Sequence, residues 1–138
     1  MSQENIEVVR RLFEGFQAAI DRGDPGAWIA ETVPDDYEWI VPGEFAGRSV
    51  WRGREEFAEF VRTWTEDFDG WSIRAERLID AGGDRVVALA FQSATGKHSG
   101  VAVEMNLGQI YDLRDGRMVR VTNYFSHAEA LEAARLSE

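Results

Sequence analysis

Apolar residues recur at helical spacing up to Gly70 and alternate with polar ones beyond it, so the period of the pattern changes once along the chain. Ile6, Val9, Phe13, Phe16 and Ile20 fall on one face of a helix predicted from about Glu4 to Arg22, and Gly23 stops it. Asp24 then suits the N-cap of a short second helix with Pro25 in its first turn and Trp28 and Ile29 on its inward side. From Asp36 to Pro42, Tyr37, Trp39 and Val41 alternate with Asp36, Glu38 and Ile40, which predicts a strand ending at Pro42-Gly43. Gly43 to Gly53 reads as a loop. Phe57, Phe60, Val61, Trp64 and Phe68 return to helical spacing and predict a third helix from about Arg54 to Phe68.

Beyond Gly70, period-two segments run through Trp71–Asp80, Arg85–Thr95, Gly100–Arg114 and Arg117–Phe125, separated by short turns. They predict an antiparallel meander. Ser126 with Glu129 three positions on forms a capping box for a last short helix carrying Leu131, Ala134 and Leu136. Helices first and strands afterwards spell an α+β domain whose curved antiparallel sheet wraps around three helices of the N-terminal half.

The last hairpin carries the most specific expectation. Arg114-Asp115-Gly116 reads as a three-residue loop, which sets Leu113 opposite Arg117, Tyr111 opposite Val119, Gln109 opposite Val121 and Leu107 opposite Asn123. One face then holds Val101, Val103, Met105, Leu107, Tyr111, Val119, Val121 and Phe125, with Gln109 and Asn123 as diagonal neighbours. A two-residue loop is rejected because it would bury Glu104 and Asp112 beside aliphatic side chains. The two amides either satisfy each other or aim at a ligand. Val86, Ala88, Ala90, Ala102, Gly108 and Ile110 are read as outward, a small-residue face suited to a homodimer packed sheet to sheet.

Composition narrows the classes of function. The chain has 138 residues, a length suited to one domain over 1–138, and no cysteine, which excludes disulfides and thiol chemistry and fits a cytoplasmic protein. A formal net charge of −10 argues against nucleic acid, and no stretch has the length and apolarity expected of a membrane span or signal peptide. Eight Phe, five Trp and three Tyr supply ample aromatic surface for lining a cavity.

Several local phrases, in this order and spacing, resemble the nuclear transport factor 2-like (NTF2-like) superfamily and its SnoaL-like branch, which includes small polyketide cyclases. They are Arg22-Gly23-Asp24, Asp36-Tyr37-Glu38-Trp39, Trp51 to Phe57, Asp115 to Arg120, Tyr124-Phe125 and Ala128 to Leu131. The resemblance covers nearly the whole chain and implies a cone-shaped, cystatin-like fold with a hollow between sheet and helices. It implies no single activity, because the fold hosts isomerases, cyclases, hydrolases and inactive binding modules. The isomerase-like catalytic positions fall on Phe16, on or next to Trp39, and near Gln109; Phe16 and Trp39 cannot transfer protons and Gln109 could only donate a hydrogen bond. Asp112 and Arg120, where hydrolase-like members would place an acid and its partner, have outward parity.

Other chemistry is sparse. His98 sits in a turn and His127 follows the Ser126 cap, no spacing suits a metal site, and Glu38 or Glu104 would face inward only through a bulge. No metal or other cofactor is expected. The expected ligand pocket comprises Phe16, Tyr37, Trp39, Trp64, Phe68, Met105, Gln109, Tyr111, Asn123 and Phe125. It would hold a small apolar or aromatic ligand, with Gln109 and Asn123 orienting a carbonyl and no identified proton acceptor. The alternative is a non-catalytic binding or dimerisation module. On this reading, Gln109→Leu weakens binding and spares the fold.

Overall fold

The computed structural model describes residues 2–136. Helices α1 (Ser2–Arg22) and α2 (Pro25–Thr32) are followed by strands β1 (Glu38–Phe45) and β2 (Arg48–Arg52), then helix α3 (Gly53–Asp67). Strands β3 (Phe68–Gly82), β4 (Arg85–Gly96), β5 (Ala102–Arg114) and β6 (Arg117–Tyr124) lead to helix α4 (His127–Ala133). The caps form as the local sequence dictates. Asp24 Oδ1 accepts from Ala27 N, and Ser126 Oγ accepts from Glu129 N while donating to that residue's carboxylate.

All six strands join one curved sheet in the order β2-β1-β6-β5-β4-β3. Neighbours are antiparallel except β1 and β6, which pair in parallel where Glu38, Trp39 and Ile40 meet Arg120, Val121 and Thr122. The sheet is therefore mixed. Helices α1 to α3 cover its concave face, where Val9, Phe13, Ile29, Phe57, Phe60 and Val61 pack against Val86, Leu107, Tyr111 and Val121.

The segment expected to be a loop is a hairpin. Ala46 and Gly47 both take positive φ, 51° and 87°, and turn β1 back into β2. Pro42-Gly43 does not end β1, because the ladder breaks between Ile40 and Phe45 and asks no N–H of Pro42. At the end of α3, Phe68 opens β3 rather than closing the helix.

The β5–β6 register also differs from the expected one. Arg114 pairs with Arg117 across a two-residue turn in which Asp115 and Gly116 have φ of 55° and 76°. A bulge between Asp112 and Leu113 then places Asp112 opposite Arg120, skipping Val119. The extra residue reverses the parity of β6 beyond the turn, so the carboxylates stay outward as required. Near the turn, Met118 is buried in place of Val119. Farther along, Gln109 lies directly opposite Asn123 rather than diagonal to it. Val101, expected on the inner face, is 59% exposed.

Three residues assigned to the outer face lie inside: Val86, Ala88 and Ala90 pair with Tyr111, Gln109 and Leu107 and join the main core. The run from Val86 to Phe91 is apolar throughout, so its alternation is invisible in the sequence. The outward residues Val87, Leu89 and Ile110 are buried under Ala130 and Leu131 of α4 and Ala134 at its C-cap. Gly108 also lies under this helix, with the space a Cβ would need taken by Ala130 Cβ and Ser126 O, each 2.6 Å away. Of the six residues proposed as a dimer face, only Ala102 is exposed on the sheet surface.

Candidate ligand cavity

Between the concave sheet and the helices lies a cavity of about 180 Å³. Phe16, Trp28, Phe57, Phe60, Trp64 and Trp71 line it from the helices and β3, and Met105, Leu107 and Tyr111 from β5. These rings hold one another in place. Trp64 stacks on Trp71 at 4.8 Å, Phe16 meets Trp71 edge-on at 5.3 Å, and Phe57 contacts both Tyr37 and Trp39 at 5.0 Å. Of the ten residues expected at a pocket, nine lie on this wall and Phe68 does not; its ring packs against Trp64 at 4.3 Å.

The irregular part of β1 shapes the mouth. Val41, Pro42, Glu44 and Phe45 lie on the cavity wall with Phe125, which is 61% exposed. Reading this stretch as a loop concealed Glu44, a carboxylate of the lip. Glu38 and Glu104 do not turn inward. Glu38 accepts from Arg52 at 3.3 Å and Arg120 at 3.0 Å on the outer face, and Glu104 is exposed. Burial raises the pKa of Asp112, opposed by the nearby Arg120 and Arg85 guanidinium groups. Both Asp112 and Arg120 belong to the outward row.

Gln109 and Asn123 are 1% and 4% exposed and sit in a directed chain of hydrogen bonds. Tyr111 Oη donates to Gln109 Oε1 at 2.9 Å, Gln109 Nε2 to Asn123 Oδ1 at 2.8 Å, and Asn123 Nδ2 to the Ile40 carbonyl at 2.8 Å. A carbonyl can only accept, so Ile40 orients the Asn123 amide, which orients Gln109, which in turn commits the hydroxyl proton of Tyr111. The whole chain takes its direction from one backbone atom.

Two other wall donors have no such partner. Tyr37 Oη and Trp39 Nε1 are buried without a hydrogen bond among the described residues. Burial, with Tyr111 nearby, raises the Tyr37 pKa well above its ordinary value, and burial raises that of Tyr111, so both stay neutral near neutral pH. The sequence reading missed Gln92, which is buried on the wall and accepts from Trp71 Nε1 at 3.0 Å. Its strand lacked a readable alternation. Among the described residues no cluster of His, Asp or Glu could hold a metal, and no helix is long and apolar enough to cross a membrane.

The chain belongs to the SnoaL-like domain family, whose sequence model matches residues 9–121. Among curated proteins none matches it in sequence. Its fold is similar to that of an NTF2-like protein of unknown function from Burkholderia pseudomallei, with TM-score 0.73 and 20% identity over 94% of this chain and 95% of that one. TerC, crystallised with polyporic acid, gives a TM-score of 0.72 at 23% identity, covering 96% of this chain and 98% of that chain. A protein provisionally described as a SnoaL-like polyketide cyclase, from Jannaschia sp. CCS1, gives 0.72 at 20% identity, covering 99% and 95%.

Proposed function

We propose that the cavity binds a small, largely apolar ring compound bearing a carbonyl or similarly polarised oxygen. The observation that carries this reading is an aromatic hollow with two buried donors on its wall, Tyr37 Oη and Trp39 Nε1, that no group among the described residues satisfies. An unmet buried donor costs about 1–3 kcal/mol, which a ligand oxygen can recover if small shifts of these side chains let it reach them. Size limits the ligand. An engineered apolar cavity of about 150 Å³ accommodates benzene, so about 180 Å³ with an open lip suits one or two rings. The co-crystallisation of TerC with polyporic acid supports ring compounds as a class to test.

1-Indanone is a suitable probe. Titrated into the protein, it should quench tryptophan fluorescence saturably, with Kd between about 10 μM and 1 mM for so few heavy atoms. Tyr37 and Tyr111 stay neutral, so affinity should be flat between about pH 6 and 9. A panel of one- and two-ring ketones and hydrocarbons that all fail to bind saturably would refute the proposal.

Glu44 supports a second, catalytic reading on the same site: cofactor-free proton transfer to and from the carbon beside the carbonyl. The carboxylate takes the proton, the electron pair moves onto the oxygen, and Tyr37 or Trp39 donates to the resulting enolate. In D2O the protein should then exchange the α-hydrogens of 1-indanone faster than buffer does, as followed by NMR, and Glu44→Gln should abolish the excess. No excess exchange in the unaltered protein would leave a non-catalytic binding module. Association of two copies through the outer sheet would have to use the part α4 leaves open, and light scattering decides it.

A further inference from the structure

Three buried polar side chains occupy the inner sheet face among the described residues, and Gln92 stands apart from the other two. Gln109 and Asn123 direct their amides into the chain that ends on Ile40, whereas Gln92 has one protein bond, from Trp71 Nε1 to its Oε1 at 3.0 Å. An indole N–H can only donate, so the amide has one admissible orientation, with its oxygen on Trp71 and its Nε2 turned away. Among the described residues nothing accepts from that Nε2. Gln92 is 8% exposed, lies on the cavity wall, and pairs across the sheet with Ile73 and Met105, which also line the cavity.

The lock on this amide is itself rigid. Trp71 is stacked on Trp64 and met edge-on by Phe16. Its backbone is held by Gln17, whose Nε2 donates to the Trp71 carbonyl at 3.1 Å while its Oε1 accepts from Ile73 N at 2.8 Å. Two N–H donors are thereby fixed at the β3–β5 wall before any ligand arrives, which limits the ordering cost of binding.

We infer that Gln92, oriented by Trp71, is a further donor to the ligand oxygen beside Tyr37 and Trp39, and the one whose orientation is fixed before binding. Its Nε2 receives a carbonyl oxygen while the ring body lies against the aromatic wall. This rests on the cavity being a binding site for small ring compounds and adds a further side chain that reads the oxygen.

The test compares 1-indanone with indane, the same frame without oxygen, by tryptophan fluorescence titration. Gln92→Leu alone would orphan Trp71 Nε1, so the double variant Trp71→Phe/Gln92→Leu removes both partners and keeps an apolar wall. It should lose about tenfold in affinity for 1-indanone and keep its affinity for indane within about twofold. The infrared carbonyl stretch of bound 1-indanone should lie lower in the unaltered protein than in the variant. Equal losses for both probes, or no loss for either, would overturn the assignment of Gln92 while leaving the cavity as a binding site. Failure of the unaltered protein to bind 1-indanone, indane or any other ketone or hydrocarbon of the panel would remove both.

Discussion

Gln109→Leu should destabilise the protein by about 2–5 kcal/mol and lower Tm by roughly 10 °C or more. The substitution leaves two buried groups without their partner, the hydroxyl of Tyr111 and the Oδ1 of Asn123. Each such loss costs about 1–3 kcal/mol, because both side chains are buried. This reverses the expectation from sequence, in which Gln109 orients a ligand and its loss spares the fold. Tyr111→Phe should cost less, about 1–2 kcal/mol, since it leaves only the Gln109 oxygen unmet. In the double variant the two effects should fall short of their sum, because the Tyr111–Gln109 bond can be broken only once. Denaturant unfolding checks all three, and a Gln109→Leu protein within about 0.5 kcal/mol of the original would show the chain to be energetically idle.

The second large effect lies on the opposite face of the sheet. Gly108→Ala should cost about 1–3 kcal/mol by overpacking and act mainly on α4. The new Cβ would stand 2.6 Å from both Ala130 Cβ and the backbone oxygen of Ser126, and the latter belongs to the helix cap, which cannot rotate aside. The helix must lift, exposing Val87, Leu89 and Ile110. Hydrogen exchange should therefore rise in α4 and at the centres of β4 and β5, while 1-indanone affinity holds, because α4 contributes nothing to the cavity wall. Unchanged exchange in α4 would refute this account.

Most elements were legible because their apolar positions repeat with a period only one secondary structure satisfies. The aromatic stripe of α3, from Phe57 to Trp64, faces the sheet because no other arrangement buries it. The caps at Asp24 and Ser126 were legible for the same local reason: a short side-chain oxygen beside unpaired N–H groups. Legibility failed where both faces of a strand are buried, as at Val86 to Phe91, and where Pro42-Gly43 imitates a strand end. The same two failures hid Gln92 and Glu44. The bulge beside Val119 went unread, yet the parity argument still placed Gln109 and Asn123 inward, since burying Glu104 and Asp112 is forbidden on any register.

By itself, then, the sequence determined the α+β order of elements, the aromatic hollow and the inward position of two amides. These follow from periodicity and from the cost of burying charge, which act within one segment or hairpin. Only the tertiary structure decided how those amides are oriented, because the carbonyl of Ile40 lies on a strand distant in sequence from the amides it orients. A hydrogen bond has a direction, and the direction here is set by groups that sequence neighbourhood does not bring together. Gln109 and Asn123 bond each other and the Ile40 carbonyl, and the donors left without a partner among the described residues lie elsewhere on the cavity wall, at Tyr37, Trp39 and Gln92.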